Sequence, residues 1–316
     1  MSRVADRSVP QASIGLLVRR PAVAGTFYPA SADRLAAMVG QLVAAVDRLP
    51  GIADRATGGI PAGILVPHAG LVYCGTTAAA AWTRLAQPGA EVMKGNHEAL
   101  TVVLLGTNHG AIWLDGISVW SPGAWRTPLG EVAVDDRLAA EIVRLGSPFL
   151  VELQAHELEH SIEVQLPLLQ VIAPAARMVP LSVSCGRGAR AMDAGRLLGA
   201  LLADRRAAGQ PVMLAISSDM AHYPPEDACA AVTRALLPSI LAVDPAALSD
   251  AEAAVCAAHT RGLACGMCGI EPAVVGLAAL RAMGVTRATS LAAATSADAG
   301  GPADRTVGYL AVRFDP

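Results

Sequence analysis

Gly63-Ile64-Leu65-Val66-Pro67-His68-Ala69-Gly70 is an apolar run that ends in a histidine and a glycine. Its first five residues carry no polar side chain, so Gly63–Pro67 reads as a buried strand with His68 on the loop beyond it. The pattern recurs twice. Thr101–Gly106 is followed by Thr107-Asn108-His109-Gly110, and Val212–Ser217 by Ser218-Asp219-Met220-Ala221-His222-Tyr223. Met178–Val183, Thr289–Ala294 and Gly308–Phe314 also read as strands. Gly116–Trp120 and Glu131–Val134 read as a hairpin-like pair around a turn at Trp125–Pro128.

Helical patterns fill the intervals: Ala32–Val46, Asp135–Leu145, Glu159–Ile172, Ala189–Ala207, Asp227–Leu241, Pro245–Thr260 and Glu271–Met283. Ser31-Ala32-Asp33 and Asp244-Pro245 supply helix starts. Strands alternating with helices predict an α/β fold: a single layered domain with a central mixed β-sheet flanked by helices. Open α/β sheets build their sites at the carboxyl ends of strands. Three of the seven histidines fall at such strand exits, which makes His68, His109 and His222 the first candidates for chemistry.

Composition narrows the function classes. The 316 residues are 53% hydrophobic and 16% charged, which excludes a disordered chain. Aromatics are only 3%, so the core must rest on Ala, Val, Leu and Ile. Net charge is −3 and no run of four Lys/Arg occurs, which argues against nucleic-acid binding. No stretch reaches the roughly 18 apolar residues of a membrane span. Residues 1–19 read as a variable lead-in. The apolar patch Ile14–Val18 runs straight into Arg19 and Arg20, without the features of a signal peptide. Leu49–Gly59 and Gln87–Glu98 read as surface loops. Cys74, Cys185, Cys229, Cys256, Cys265 and Cys268 then read as reduced thiols of a cytoplasmic protein, most of them small core residues.

Cys268 stands out within Cys265-Gly266-Met267-Cys268-Gly269-Ile270-Glu271-Pro272. A glycine-rich turn before a helix favours a thiolate through the free N–H groups there. Cys265 and Cys268 form a CxxC, but the second pair that a zinc knuckle would need is missing nearby. His156-Glu157-Leu158-Glu159-His160 matches HExxH, in which two histidines one turn apart chelate zinc. The longer metzincin pattern fails, since Glu163 and Leu166 stand where it needs Gly and His. No Asp or Glu follows Glu163 before Asp193, and Pro167 breaks the helix. Glu159, His160 and Glu163 fall together on one predicted helix face. They are either a solvated face or the groups that orient metal-binding histidines through hydrogen bonds.

The chain resembles the MEMO family in five blocks. These are Pro21-Ala22-Val23-Ala24-Gly25-Thr26-Phe27-Tyr28-Pro29, Val66–Gly75, Gly106-Thr107-Asn108-His109, Glu159–Pro167 and Ser217–Tyr223. The Cys268-Gly269 turn with Pro272 completes the series, over residues 20–316 as one domain. Microbial members resemble protein B of the AmmeMemoRadiSam system. That resemblance implies an AMMECR1-like protein and a radical SAM protein as partners, and an unknown small-molecule or peptide ligand. It also implies the fold of class III extradiol dioxygenases, which hold Fe(II) with two His and a carboxylate and use a further His as acid/base. Carried onto this sequence, His68, His109 and Cys268 become the metal ligands. His222 becomes the acid/base, with Asp219 beside it, and Glu159, His160 and Glu163 support them. The implied cofactor is iron(II) or copper, with zinc as a further choice, since a thiolate replaces the hard carboxylate. Cys265, and Gly110 after His109, depart from the family pattern. Three functions follow from the resemblance: a redox-metal protein, an Fe(II) extradiol-type dioxygenase, or a non-enzymatic interaction module.

Overall fold

A computed structural model describes residues 17–50, 52, 59–85 and 99–316. At its centre are four adjacent parallel strands: β2 (Gly63–Val66), β9 (Val212–Ser217), β3 (Thr101–Thr107) and β8 (Arg177–Ser184). All residues of β2, β3 and β9 are buried, as expected of strands covered on both faces. The sheet becomes mixed at its flanks. β11 (Gly308–Asp315) pairs antiparallel with β2, and β10 (Arg287–Thr295) pairs antiparallel with β11. On the other side β4 (Gly116–Val119) runs antiparallel to β8, and β7 (Phe149–Leu150) parallel to β4. The order is β10-β11-β2-β9-β3-β8-β4-β7, the predicted α/β architecture.

Helices flank this sheet. α9 (Ile270–Ala282) lies on β9, β3 and β8, and α6 (Ala189–Ala207) packs against α9. The two helices approach so closely that a Cβ on Gly195 or Gly199 would meet the carbonyl oxygens of Val275 and Ala279 at 2.3 Å. α2 (Leu71–Trp82) lies on β2, β10 and β11, with α1 (Ala32–Val46) against it. α3 (Asp136–Val143), α7 (Glu226–Leu241) and α8 (Pro245–Ala257) complete the larger helices. Among the described residues no helix is long and apolar enough to cross a membrane.

Two expectations need correction, and one helix lies beyond them. Gly116–Trp120 does not pair with Glu131–Val134. β4 joins the main sheet, while the supposed turn residues form β5 (Ala124–Thr127), which pairs with β6 (Gly130–Ala133). β1 (Val18–Arg19) adds to β5 and makes a separate three-stranded sheet. The segment Glu159–Ile172 is not one helix. α4 (Gln154–Glu157) ends before it, and the segment itself is an irregular stretch, a 3-10 turn over Glu163–Gln165 and then α5 (Leu166–Ile172). Lastly, α2 was not read from the sequence at all. Residues 1–16 of the lead-in, most of Leu49–Gly59 and all of Gln87–Glu98 lie outside the described residues.

Candidate metal centre

Because β2, β9 and β3 are neighbours, the residues after each strand meet at one edge of the sheet. Asp219 Oδ1 accepts from the amides of His68 (2.7 Å) and Ala69 (3.2 Å), tying the exit of β2 to that of β9. The Cys268 amide donates to Asp219 O at 3.3 Å, and the Gly269 amide to Ser218 Oγ at 2.9 Å. These bonds bring the turn before α9 to the same place.

Three imidazoles converge there. Ring centroids of His68, His109 and His160 lie 4.6 to 5.4 Å apart, and one donor atom from each falls within 4.8 Å of the other two. His160, expected to orient ligands, therefore joins the donor cluster itself. Cys268 Sγ lies 3.2 Å from His68 Nε2, at the cluster's edge.

Hydrogen-bond accounting sets the tautomers. Trp82 Nε1 is only a donor and points at Gln165 Oε1 (3.0 Å), so Gln165 Nε2 faces Ser217 Oγ (3.1 Å) and Pro67 O (2.9 Å). Ser217 spends its single hydrogen on Ser161 O (2.7 Å). Its oxygen therefore accepts from His68 Nδ1, 3.0 Å away, and turns the His68 Nε2 lone pair toward the cluster and Cys268 Sγ. Glu159 does the same for His109. Its Oε1 lies 3.0 Å from His109 Nδ1, and its Oε2 accepts from the His109 amide at 2.7 Å. Such partners fix ring orientation and raise ligand basicity in metal sites.

Glu159 also accepts from the amides of His160 and Ser161, both at 2.8 Å. Burial pushes its carboxyl up, but the His109 hydrogen bond and charge, with help from His160, outweigh that and hold it at about 2. Burial holds His68 well below the ordinary imidazole value, reinforced by His160 and His109, and burial lowers His160 as well. Metal ligation needs such neutral rings.

Glu163 serves a different structure. Its carboxylate accepts from Arg19 Nη1, Tyr28 Oη and the amides of Ala22 and Val23. Arg19 is buried and also donates to His156 O and Glu159 O. Nothing in the sequence marked Arg19 for this. His156 points away into an aromatic nest of Trp120 and Trp125, with Nε2 3.1 Å from Ser118 Oγ. α4 ends between His156 and His160, so the HExxH spacing has no helix to act on.

Above the cluster opens a cleft of about 640 Å³ walled by Phe27, Tyr73, Tyr223 and Tyr309. His222 lines it too. Its Nε2 is buried without a hydrogen-bond partner, 3.9 Å from Asp219 Oδ2. Burial, then His109 and His160, lower His222 to about 4, while burial raises Asp219 to about 7 against the pull of the His68 and Ala69 amides. Burial and the Asp219 charge also push the Cys268 thiol well up. The expected thiolate is thus not favoured by the helix end alone. All six cysteines are free, and three of them are buried rather than most: Cys74, Cys185 and Cys229.

The parallel strands of this α/β sheet thus gather, at their carboxyl edge, three histidines whose donor atoms could hold a metal ion. The chain belongs to the Memo family, whose model, "Memo-like protein", matches residues 19–313. It is similar to a MEMO1 family protein of Ignicoccus hospitalis, 33% identical over 307 residues, 95% of this chain and 99% of that one. A MEMO1 family protein of Aquifex aeolicus is 34% identical over 300 residues, 94% of this chain and 99% of that one. A solved structure, the uncharacterized protein JW3007 from Escherichia coli K12, matches with a TM-score of 0.46 and 15% identity. That match covers 79% of this chain and 98% of the other.

Proposed function

We propose that this protein holds a redox-active transition-metal ion, iron(II) or copper, with His68, His109 and His160 as nitrogen donors and Cys268 as a sulfur donor. The observation that carries this is the convergence of three imidazole donor atoms within 4.8 Å. Two of those rings have Nδ1 committed to Ser217 and Glu159, so Nε2 is the nitrogen each can offer to the cluster, and in His68 it meets Cys268 Sγ at 3.2 Å. Imidazole suits iron, copper and zinc, and a thiol donor shifts preference from hard ions toward copper or zinc. A bound ion would supply Lewis acidity and electron transfer to a small molecule in the cleft. The chain's own contribution is separate. Aromatic side chains wall the cleft, and His222 Nε2, neutral at pH 7 and unpartnered, is available to take a proton from a bound ligand.

That orphaned nitrogen also favours a second reading, ring-cleaving extradiol-type dioxygenation. Oxygen uptake by iron-loaded and copper-loaded protein tests both. Uptake lost in His222→Gln with the metal retained supports a redox enzyme, and ring cleavage of a catechol selects the dioxygenase. No uptake with either ion, reductant or catechol contradicts a redox role. The family resemblance further proposes a radical SAM protein and an AMMECR1-like protein as partners, which co-purification after joint expression would check.

A further inference from the structure

A second pocket, of about 320 Å³, shares His109 and His160 with the cleft but is otherwise built from the 110–113 loop and the 154–159 segment. Its lip is unusual for a surface. Ile112 is 94% exposed and Leu158 85%, the two most exposed large apolar side chains among the described residues, and Trp113 beside them is 59% exposed. Leu158 is turned outward because its neighbours Glu159 and His156 are committed inward. Single exposed apolar residues need no explanation, but Trp113 and Leu158 line the same pocket, with Ile112 next to Trp113 in the chain, and such a group at a pocket marks an interaction site.

Charge says what kind of partner fits. No Lys or Arg is among the described residues lining this pocket. Glu157 is exposed on its lip and makes no ion pair among the described residues. The surface is therefore an apolar rim with one uncompensated negative charge. We propose that it docks a partner protein through a Lys or Arg side chain flanked by apolar residues. The flanks cover Ile112, Trp113 and Leu158, and the cation meets Glu157. Rim charges of this kind select partners more than they add affinity, while buried aromatic and aliphatic anchors supply the binding. This inference does not rest on the metal reading.

Its test uses metal-free protein labelled with 5-fluorotryptophan. Trp113 is exposed whereas Trp82, Trp120 and Trp125 are buried, and Trp113→Phe assigns its fluorine resonance. The probes are the peptides acetyl-Leu-Arg-Leu-amide and acetyl-Leu-Glu-Leu-amide. The arginine peptide should shift the Trp113 signal saturably and leave the buried signals in place. The glutamate peptide should bind several-fold more weakly. Glu157→Gln should weaken the arginine peptide by about threefold, the size of an exposed ion pair, and high salt should do likewise. Leu158→Ser should weaken both peptides. Absence of a saturable Trp113 shift, or equal binding of the two peptides, would overturn the proposal. So would a concentration-dependent Trp113 shift without peptide that Leu158→Ser abolishes, since that assigns the surface to a second copy of the chain.

Discussion

One hydroxyl decides which nitrogen of His68 faces the cluster. Ser217 Oγ has given its hydrogen to Ser161 O and can only accept from His68 Nδ1. Removing it in Ser217→Ala frees the ring to change tautomer and leaves buried groups unpaired. Metal affinity should fall roughly 10- to 100-fold, as for other outer partners of ligating histidines. Glu159→Gln should act likewise through His109. Competition against a chromophoric chelator measures both, and unchanged affinities would contradict the tautomer assignment. Protonation gives a second prediction. His222 is held at about 4 and His156 at about 3 by burial, and burial also depresses His68 and His160. In each case the unfolded chain binds the proton first, so stability is present above the ordinary value of 6.5 and is lost as pH falls. Asp219, raised to about 7, works the other way, but one group opposes four. The urea midpoint of metal-free protein should therefore fall steadily from pH 6.5 to about 4, and less steeply in His222→Asn. A flat profile would mean that these rings are not neutral in the fold. At this scale His68, His109, His222 and Cys268 were legible because each ends a readable strand or starts a readable helix. The place of His160 was hidden, since its environment is set by Arg19, 141 residues earlier in the chain.

The segment around Leu158 shows how sequence periodicity misleads at the scale of an element. Glu159–Ile172 has helical spacing, yet its first turn is never made. The Glu159 carboxylate takes the His160 and Ser161 amides, and Arg19 takes the His156 and Glu159 carbonyls. Side chains that bind nearby backbone compete with the helix for the same groups. The result is an irregular turn that aims His160 at the cluster. The opposite failure occurred at α2, whose Leu71–Trp82 face is buried nearly all round and so shows no amphipathic rhythm to read. The buried Arg19–Glu163 pair, 2.6 Å apart, holds the irregular segment against β1 and, through the Ala22 and Val23 amides, against the chain that follows it. Arg19→Met leaves a buried carboxylate uncompensated and should cost roughly 3–5 kcal/mol in urea unfolding. Glu163→Gln, which removes the charge but keeps an acceptor for Tyr28 Oη and the Ala22 and Val23 amides, should recover part of that loss when combined with Arg19→Met. A double variant as unstable as the single one would show that packing, rather than the lost charge, is what matters.

At the scale of the whole molecule, strand order does what no local pattern can. β2, β9 and β3 are separated in sequence by long stretches of chain, yet they lie side by side. Their carboxyl ends therefore deliver His68, the Asp219–His222 loop and His109 to one edge. Alternation of strands and helices was enough to predict a layered α/β domain and to expect a site at strand ends. The order of strands, and the separate sheet β1-β5-β6, depend on long-range pairing that periodicity does not encode. On the proposed reading this edge holds one transition-metal ion. Metal content by mass spectrometry, on anaerobically purified wild-type protein beside His68→Ala, His109→Ala and Cys268→Ser, tests it most directly. Near-stoichiometric iron or copper in the wild type, lost in both histidine variants and diminished in Cys268→Ser, is the expected result. Protein without metal, or with the same content in all four forms, would contradict it.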